Sequence, residues 1–518
     1  MAQIRPIDIV APGAFGLNTE SKETLLAPQW ATIALNAVVN VSGRIGTRAG
    51  WVSQTTNAIS GTPTIDVIHE YLLKNGTSII ITAANNKVYK DIDDYTDSNN
   101  DITSSTTPTA DHWQFINFNG KVLGFQKGHT PIEWANSGDF IDGSYTGTGP
   151  DGNCAVAAFG RVWAADADLQ TVRYSVLLDD RDYSVANGGG TLDMSSIWTQ
   201  GMDEIVAIKA IGSNLIVFGR NHIVLWADGS GSEIGLDPTE LQVVDTIEGT
   251  GCIARDSVQL TGEGDMIFLS RHGLQSLGRV IQSKSNPVKS LTKHVRTDLL
   301  ADLVNERASD AKLDRTRAVV SPEKGLYIIN FPVCDAQYVL DLNHPFEDEE
   351  GELMFPVTKW ELGGTVSGMG AIVSGPLYFG ASGIVGLYSG LADNNASYQF
   401  DFETGWLEFG ELNHRLKMLK EIIVSVVIGT GTITYTWQWD FSGDRLTRSH
   451  AYTTGAAEYN IGEYNESEYS GGSVVQRINL PAHGEGQFLK LGSKATVSGF
   501  DVVIQHISIS PKIGRMIT

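Results

Sequence analysis

Three cysteines in 518 residues are too few and too scattered for a disulfide framework. Cys154, Cys252 and Cys334 lie far apart and no CxxC pair occurs, which also excludes a zinc site of ordinary spacing. The thiols read as small core residues of a chain that folds in a reducing cytoplasm. Long apolar runs are missing as well. No stretch approaches the ~18 apolar residues of a membrane span, and Ile422 to Gly429 (IIVSVVIG) is among the longest. The opening MAQIRPIDIVAPGAFG has no extended apolar segment, so neither an export signal nor a membrane anchor is expected. Basic charge is scarce: 37 Lys and Arg stand against 60 Asp and Glu, a net charge of -23. A surface that wraps nucleic acid is normally basic. An acidic surface can face DNA by not adhering to it, or can simply confer solubility.

Catalytic signatures are also absent. There is no HExxH, no GxSxG and no Walker loop. Gly147 to Gly152 matches GxGxxG literally, but Pro150 lies inside it and no helix follows, so it reads as a loop. The histidines are dispersed, and Arg271-His272-Gly273 reads as a turn. Asp91 to Asp97 superficially resembles a calcium loop. Thr96 and Ile102 stand where that loop requires Gly and Glu. No catalytic residue, cofactor or metal site is expected.

What the chain does have is apolar residues (42%) and glycine, 56 residues against 16 prolines. They are organised in a unit seen most clearly at Ile205 to Trp226, IVAIKAIGSNLIVFGRNHIVLW. Three short apolar runs are separated by turns at Gly212-Ser213-Asn214 and at Gly219 to His222. Strand, tight turn, strand, tight turn, strand is an antiparallel meander. The same pattern recurs with a turn glycine at Gly76, Gly120, Gly160, Gly212, Gly264, Gly325 and Gly375. A meander repeating every ~40–50 residues predicts a β-propeller, one unit per blade. A large β-sandwich with many hairpins is the competing architecture.

The fold class expected is therefore all-β: a propeller of about seven meander units over residues 63–395, with further domains on either side. The step from Gly264 to Gly325 is the longest and contains the best helix. Leu291, Val295, Leu299 and Leu303 fall four apart on one stripe, and Ser290 or Thr292 stands where a cap would. Residues 396–518 change pattern, with strands at Lys420 to Val427 and Thr432 to Trp439 and two more within Phe488 to Ser510. They read as a β-sandwich platform, and residues 1–62 are expected to complete it.

Two stretches carry candidate contact residues. In Gly43-Arg44-Ile45-Gly46-Thr47-Arg48-Ala49-Gly50-Trp51, the glycines permit close backbone approach. Arg44 and Arg48 could bind a carboxylate or phosphate bidentately, with Trp51 beside them as a partner-docking group. The alternative is a β-turn that packs Trp51 inward and leaves the arginines in water. The second stretch is acidic: Glu347, Asp348, Glu349, Glu350 and Glu352. Mutual repulsion favours an extended, solvated loop there, facing solvent, a channel lumen or a partner.

The start of the chain supplies a resemblance. Gly16-Leu17-Asn18, Leu25-Leu26-Ala27-Pro28 and Ala34-Leu35-Asn36-Ala37-Val38-Val39 precede Gly43-Arg44-Ile45, Arg48 and Gly50-Trp51. Toward the other end come Gly405-Trp406-Leu407-Glu408-Phe409-Gly410 and Lys417 to Lys420. With the helix-bearing propeller between them, these resemble the nozzle or tail hub proteins of short-tailed bacteriophages, of the tail tubular protein B and packaged-DNA stabilisation types. The resemblance implies a non-enzymatic virion component that folds in the host cytoplasm. It implies six copies forming a tube below an adaptor ring, with tail fibres or spikes at the side. Genomic DNA would be retained in the tube, then pass through it without sequence-specific contacts. A carbohydrate-binding or glycan-cleaving propeller on a virion or cell surface is the alternative function, and would require paired carboxylates in a pocket on the propeller axis.

Overall fold

The turn glycines that mark the repeat all take positive φ, from +57° at Gly212 to +116° at Gly375. Each sits between the first and second strands of a meander, where a left-handed residue lets the chain reverse without splaying the pair. The computed structural model describes all residues except 1–5, 41, 104–111, 199–200, 229–237, 239, 283–289, 349, 364–365, 372–374, 410–414, 454–473 and 517–518. Within the described residues the chain forms a β-propeller joined to a two-sheet platform.

The blades begin, in chain order, with the strands Val67–Leu72, Gln114–Phe118, Ala155–Ala158, Ile205–Ile211, Gln259–Leu260, Arg317–Ser321 and Val366–Ala371, and are numbered 1 to 7 accordingly. Six of these meanders are separate small sheets, whereas blade 6 is one end of a ten-stranded sheet. Their first strands lie side by side, with blade 5 reaching blade 4 through the 3-10 turn Arg255–Ser257, and blade 7 returns to blade 1 to close the ring.

Blade packing explains why the second strands read as continuous apolar runs. In Asn214–Gly219 of blade 4, Leu215 and Val217 pack against blade 3, while Ile216 and Phe218 pack against blade 5. Both faces of the sheet are covered, so alternation of apolar and polar residues would leave buried polar groups without partners. The same arrangement recurs around the ring, for instance between Ile328 of blade 6 and Phe379 of blade 7.

The platform is woven from both chain ends. From blade 6 the ten-stranded sheet continues through Gly16–Leu17 and Trp30–Leu35 to Tyr398–Thr404, Leu489–Val497, Gly431–Trp439 and Leu446–Tyr452. The facing sheet contains Ile7–Val10, Ala37–Val39 and Ile45–Thr47 from the N-terminal region. Its C-terminal strands include Arg415–Ile428, Val474–Pro481 and the long Val502–Met516. Ile9, Val424 and Ile507 of this sheet share one core with Phe400, Tyr435 and Leu491 of the other.

The expected helix is present, with its ends shifted. A 3-10 turn at Lys293–Val295 leads into helix Arg296–Ser309, and Leu291, Val295, Leu299 and Leu303 are all buried in the core that blades 5 and 6 share with the platform. Neither Ser290 nor Thr292 caps it. The Ser290 hydroxyl donates to the Leu274 carbonyl at 2.9 Å and the Thr292 hydroxyl accepts from the Leu274 N–H at 3.2 Å, so both are spent on blade 5. A second, short helix, Leu277–Gln282, follows the third strand of blade 5.

Ring closure is completed by a strand from far away in the sequence. Trp51–Ser53 pairs antiparallel with Ile384–Tyr388, with Trp51 opposite Tyr388, and so forms the outer strand of blade 7. The Trp51 indole is buried and donates to the Leu362 carbonyl at 3.3 Å. Gly386 makes room for it, since a Cβ there would lie 2.3 Å from the indole ring. Trp51→Ala should therefore lower stability by about 3–5 kcal/mol, measured as a lower urea midpoint. It should also make blade 7 the first site cut in limited proteolysis.

Candidate functional site

Two gatherings of buried charged side chains tie distant parts of the chain together, and the first is the crossing point of the chain ends. Arg48 is fully buried. Its guanidinium grips Asp393 bidentately, at 2.8 and 2.6 Å. It also donates to the Asn36 side-chain oxygen at 2.9 Å, the Ala49 carbonyl at 2.9 Å and the Glu361 carbonyl at 2.7 Å. It lies 4.1 Å from the centre of the Tyr398 ring. A planar five-donor group is the one side chain that can meet this set of acceptors. Asn36, at φ +52°, serves as a second junction: its oxygen also accepts from the Glu361 N–H at 2.8 Å and its amide donates to the Gln399 carbonyl at 2.7 Å.

This corrects the docking role expected of Arg48 and Trp51. Both point inward, because Arg48 finds its carboxylate within its own chain and Trp51 fills the seam of blade 7. Arg44 is separate from them. It is half-buried, at the hairpin between Ala37–Val39 and Ile45–Thr47.

The acidic stretch is likewise more ordered than repulsion alone predicts. Phe346–Glu347 pairs with Leu353–Met354 as a small hairpin. Asp348 turns back into it, accepting from the Glu350 N–H at 2.8 Å and the Glu352 N–H at 2.9 Å, and pairs with Lys293, which also meets Glu350 at 3.3 Å. Backbone donors and one lysine thus offset the crowding of like charges. Glu347 and Glu350 are exposed, Glu352 is half-buried, and Glu349 lies outside the described residues. Phe346 stacks on Phe15 at 4.6 Å, so the hairpin lies against the N-terminal segment.

The second gathering is on the propeller axis. A cavity of about 610 Å³ is lined by residues of blades 1, 2, 4, 5, 6 and 7. At it, Asp256 accepts from both Arg255 (2.8 Å) and Arg317 (2.8 Å) and lies 3.3 Å from His112 Nε2. His112 Nδ1 lies 2.7 Å from Arg317, an obligate donor, so the ring is neutral there with its proton on Nε2, facing Asp256. Arg255 further donates to the carbonyls of Asn153 and Trp113, each at 2.6 Å, and Arg317 to those of Asp66 at 3.1 Å and Asp314. These bonds staple blades 5 and 6 to the segments that enter blades 1, 2 and 3. Burial works to raise the Asp256 carboxyl, but Arg255 and Arg317 outweigh it and hold the group well below the usual carboxylate range. Burial pushes His112 well below its ordinary value, helped by the same two arginines.

Lys209, in the first strand of blade 4, also lines this cavity. It is half-buried, and burial lowers its amine from the ordinary lysine value. Among the described residues its amine makes no hydrogen bond or ion pair.

Sequence reasoning did not single out these axial residues. The available signal was positional: Arg317 opens the apolar inner strand Arg317–Ser321, and Arg255-Asp256 stands just before the inner strand Gln259–Leu260. Two of the three cysteines are core residues, and Cys334 is half-buried. All three are free, Cys154 and Cys252 are buried, and burial raises their thiols to about 12 and about 11. The Asp91 to Asp97 loop is held by its own turn bonds, such as Asp94 accepting from the Thr96 N–H at 2.8 Å.

No protein-family model and no curated protein matches the sequence. Among solved structures, the chain is similar to streptogramin B lyase at 11% identity, over 64% of this chain and 95% of that one, with a TM-score of 0.37. It is similar to BamB from Moraxella catarrhalis at 13% identity, over 75% and 99%, with a TM-score of 0.36. Similarity to Chaetomium thermophilum Raptor is at 10% identity, over 66% of this chain and 29% of that one, with a TM-score of 0.38.

Two outcomes are expected from substitution. Arg48→Met leaves Asp393 buried without its counter-charge and should cost about 3–5 kcal/mol, read as a lower urea midpoint at unchanged m-value. Arg48→Lys, which keeps the charge and loses the fork, should fall between the variant and the wild type.

The axial network sets a pH dependence. Unfolded His112 titrates near 6.5, whereas the folded ring stays neutral, so on acidification the unfolded chain gains a proton that the folded chain refuses. Stability should fall from about pH 6.5 downward by up to about 1.4 kcal/mol per pH unit from this residue. Asp256 adds a loss of the same sign below about pH 4, as falling pH moves toward its depressed folded value. In urea titrations from pH 7 to pH 5, His112→Gln should show a shallower decline than the wild type.

Proposed function

We propose that this chain is a non-catalytic structural subunit of a short-tailed phage tail nozzle, which assembles as a ring of six below the adaptor and extends the DNA channel. The observation that supports the reading is the platform. Both chain ends are woven into one two-sheet layer, and the ten-stranded sheet runs from that layer into blade 6 through the pairings of Gly16 with Val357 and Leu35 with Lys359. Such a joint transmits load between the two parts through backbone hydrogen bonds, as a tube wall under internal pressure requires. A flexible linker would not do so.

In this reading the propeller is wall, and the platform meets the adaptor. Tail fibres or spikes attach at the side. The net charge of -23 keeps the channel from binding DNA: phosphates meet no array of Lys and Arg, so no counterions are released and the duplex slides. The exposed Glu347 and Glu350 of the acidic hairpin face the lumen or a neighbour. A glycan-cleaving propeller would need a proton-donating carboxyl on its axis. Of the two carboxylates that line the axial cavity, Glu70 and Asp256, the latter is held ionised by its arginines.

Negative-stain electron microscopy of the full chain, alone and mixed with the portal and adaptor of the phage that encodes it, tests the proposal. Six-fold rings are expected at least when the adaptor is present, and a chain that stays monomeric beside an assembled adaptor overturns it. In parallel, duplex DNA should show no retardation by the protein even at low ionic strength. A salt-sensitive shift would contradict the acidic-channel reading.

A further inference from the structure

The axial cavity is lined by one cation, Lys209, on which Asp256 acts only at longer range, without a hydrogen bond or ion pair. Arg255 and Arg317 are committed: their N–H groups are spent on backbone carbonyls, Asp256 and His112. Lys209 differs, since its amine is half-buried, lines the same space and makes no hydrogen bond or ion pair among the described residues. Burying an ammonium without a partner is unfavourable. A strand position whose neighbours are apolar would ordinarily carry an apolar residue.

The lining as a whole has three cations (Lys209, Arg255, Arg317) against two carboxylates, Glu70 and Asp256. Asp66 and Asp314 also act on Arg317 but are outside the lining. In a chain of net charge -23, a cavity with this balance is a local exception. The wall also carries apolar side chains, among them Ile68, Phe115, Val319 and Met369, beside the neutral polar Gln114, Asn117 and Gln259. At about 610 Å³ it is far larger than a bare inorganic ion needs. It falls in the range of roughly 300–1,000 Å³ typical of pockets for small organic molecules.

We propose that the axial cavity is a binding site for a small organic anion, with the carboxylate or phosphate group of the ligand paired to Lys209 and its apolar body against the Phe115–Met369 side of the wall. The site is independent of the nozzle reading. Bound there, a ligand would bridge the first strands of several blades and stiffen the ring. Arg255 and Arg317 are offset by Asp256, Asp66 and Asp314, so the attraction for the anion rests on Lys209, and Glu70 limits how much negative charge the site accepts.

Calorimetric titration of the full chain with benzoate, phenyl phosphate, benzamide and inorganic phosphate tests the proposal. Benzoate or phenyl phosphate should bind at millimolar concentration or below, about tenfold or more tighter than neutral benzamide, since a charge-assisted pair is at stake. Lys209→Gln should abolish that preference and Lys209→Arg should keep most of it, with both variants unfolding at the wild-type temperature or above. The proposal is overturned if neither aryl anion binds, if benzamide binds as tightly as benzoate, or if Lys209→Gln leaves the preference intact. Inorganic phosphate binding as tightly as phenyl phosphate would overturn the part assigned to the apolar body. The relative strength of the benzoate and phenyl phosphate signals distinguishes a carboxylate site from a phosphate site.

Discussion

The buried pair between Arg48 and Asp393 is the constraint on which the architecture turns. Asp393 comes just after the last blade, and Arg48 just before the strand that closes that blade. Their bidentate contact fixes where the N-terminal segment leaves the platform and enters the propeller. Asn36, Glu361 and Tyr398 add contacts from three further stretches of chain to the same group. Two charges out of water are tolerated here because every donor of the guanidinium has an acceptor. The penalty for breaking the arrangement is correspondingly high, since both side chains are buried from solvent. One ion pair thus joins the closing strand of the propeller to the platform.

A second network does similar work on the axis. Arg255, Asp256, Arg317 and the neutral His112 hold the entry segments of several blades at one end of the cavity. The blades themselves supply apolar faces that are non-directional, and such faces leave rotation and sliding weakly specified. Directional ionic bonds at the axis and at the chain crossing restrict what apolar packing leaves free. The net charge of -23 is a source of self-repulsion that these paired charges do not relieve.

Much of the fold was legible because its signals are local. The turn glycines at Gly76 through Gly375 could be read from spacing, and every one of them adopts the left-handed conformation that its turn requires. The stripe at Leu291, Val295, Leu299 and Leu303 identified the helix, although its ends were shifted and the hydroxyls beside it bind a blade. The continuous apolar runs of second strands reflected burial on both faces. Where the reading went astray, the partner was distant. Nothing near Arg48 in sequence announces Asp393, so an arginine among glycines looked available for a partner. The acidic stretch at 347–352 looked extended because the donors that tame it are its own turn and Lys293, which lies far off in the chain.

Periodicity and turn chemistry act over a few residues, and from them the sequence by itself determined the repeating meander, its all-β character, its approximate number of units and the inserted helix. Long-range pairing is a different kind of quantity, because it depends on which chain segments meet when the ring closes. Tertiary structure alone decided that Trp51–Ser53 completes blade 7, that Arg48 is a strut facing inward, and that Arg255, Arg317 and Lys209 converge on one cavity. A charged side chain reads the same in sequence whether it ends in solvent, in an ion pair or at a cavity wall. Only the three-dimensional positions of its acceptors, and the water excluded around it, distinguish these outcomes.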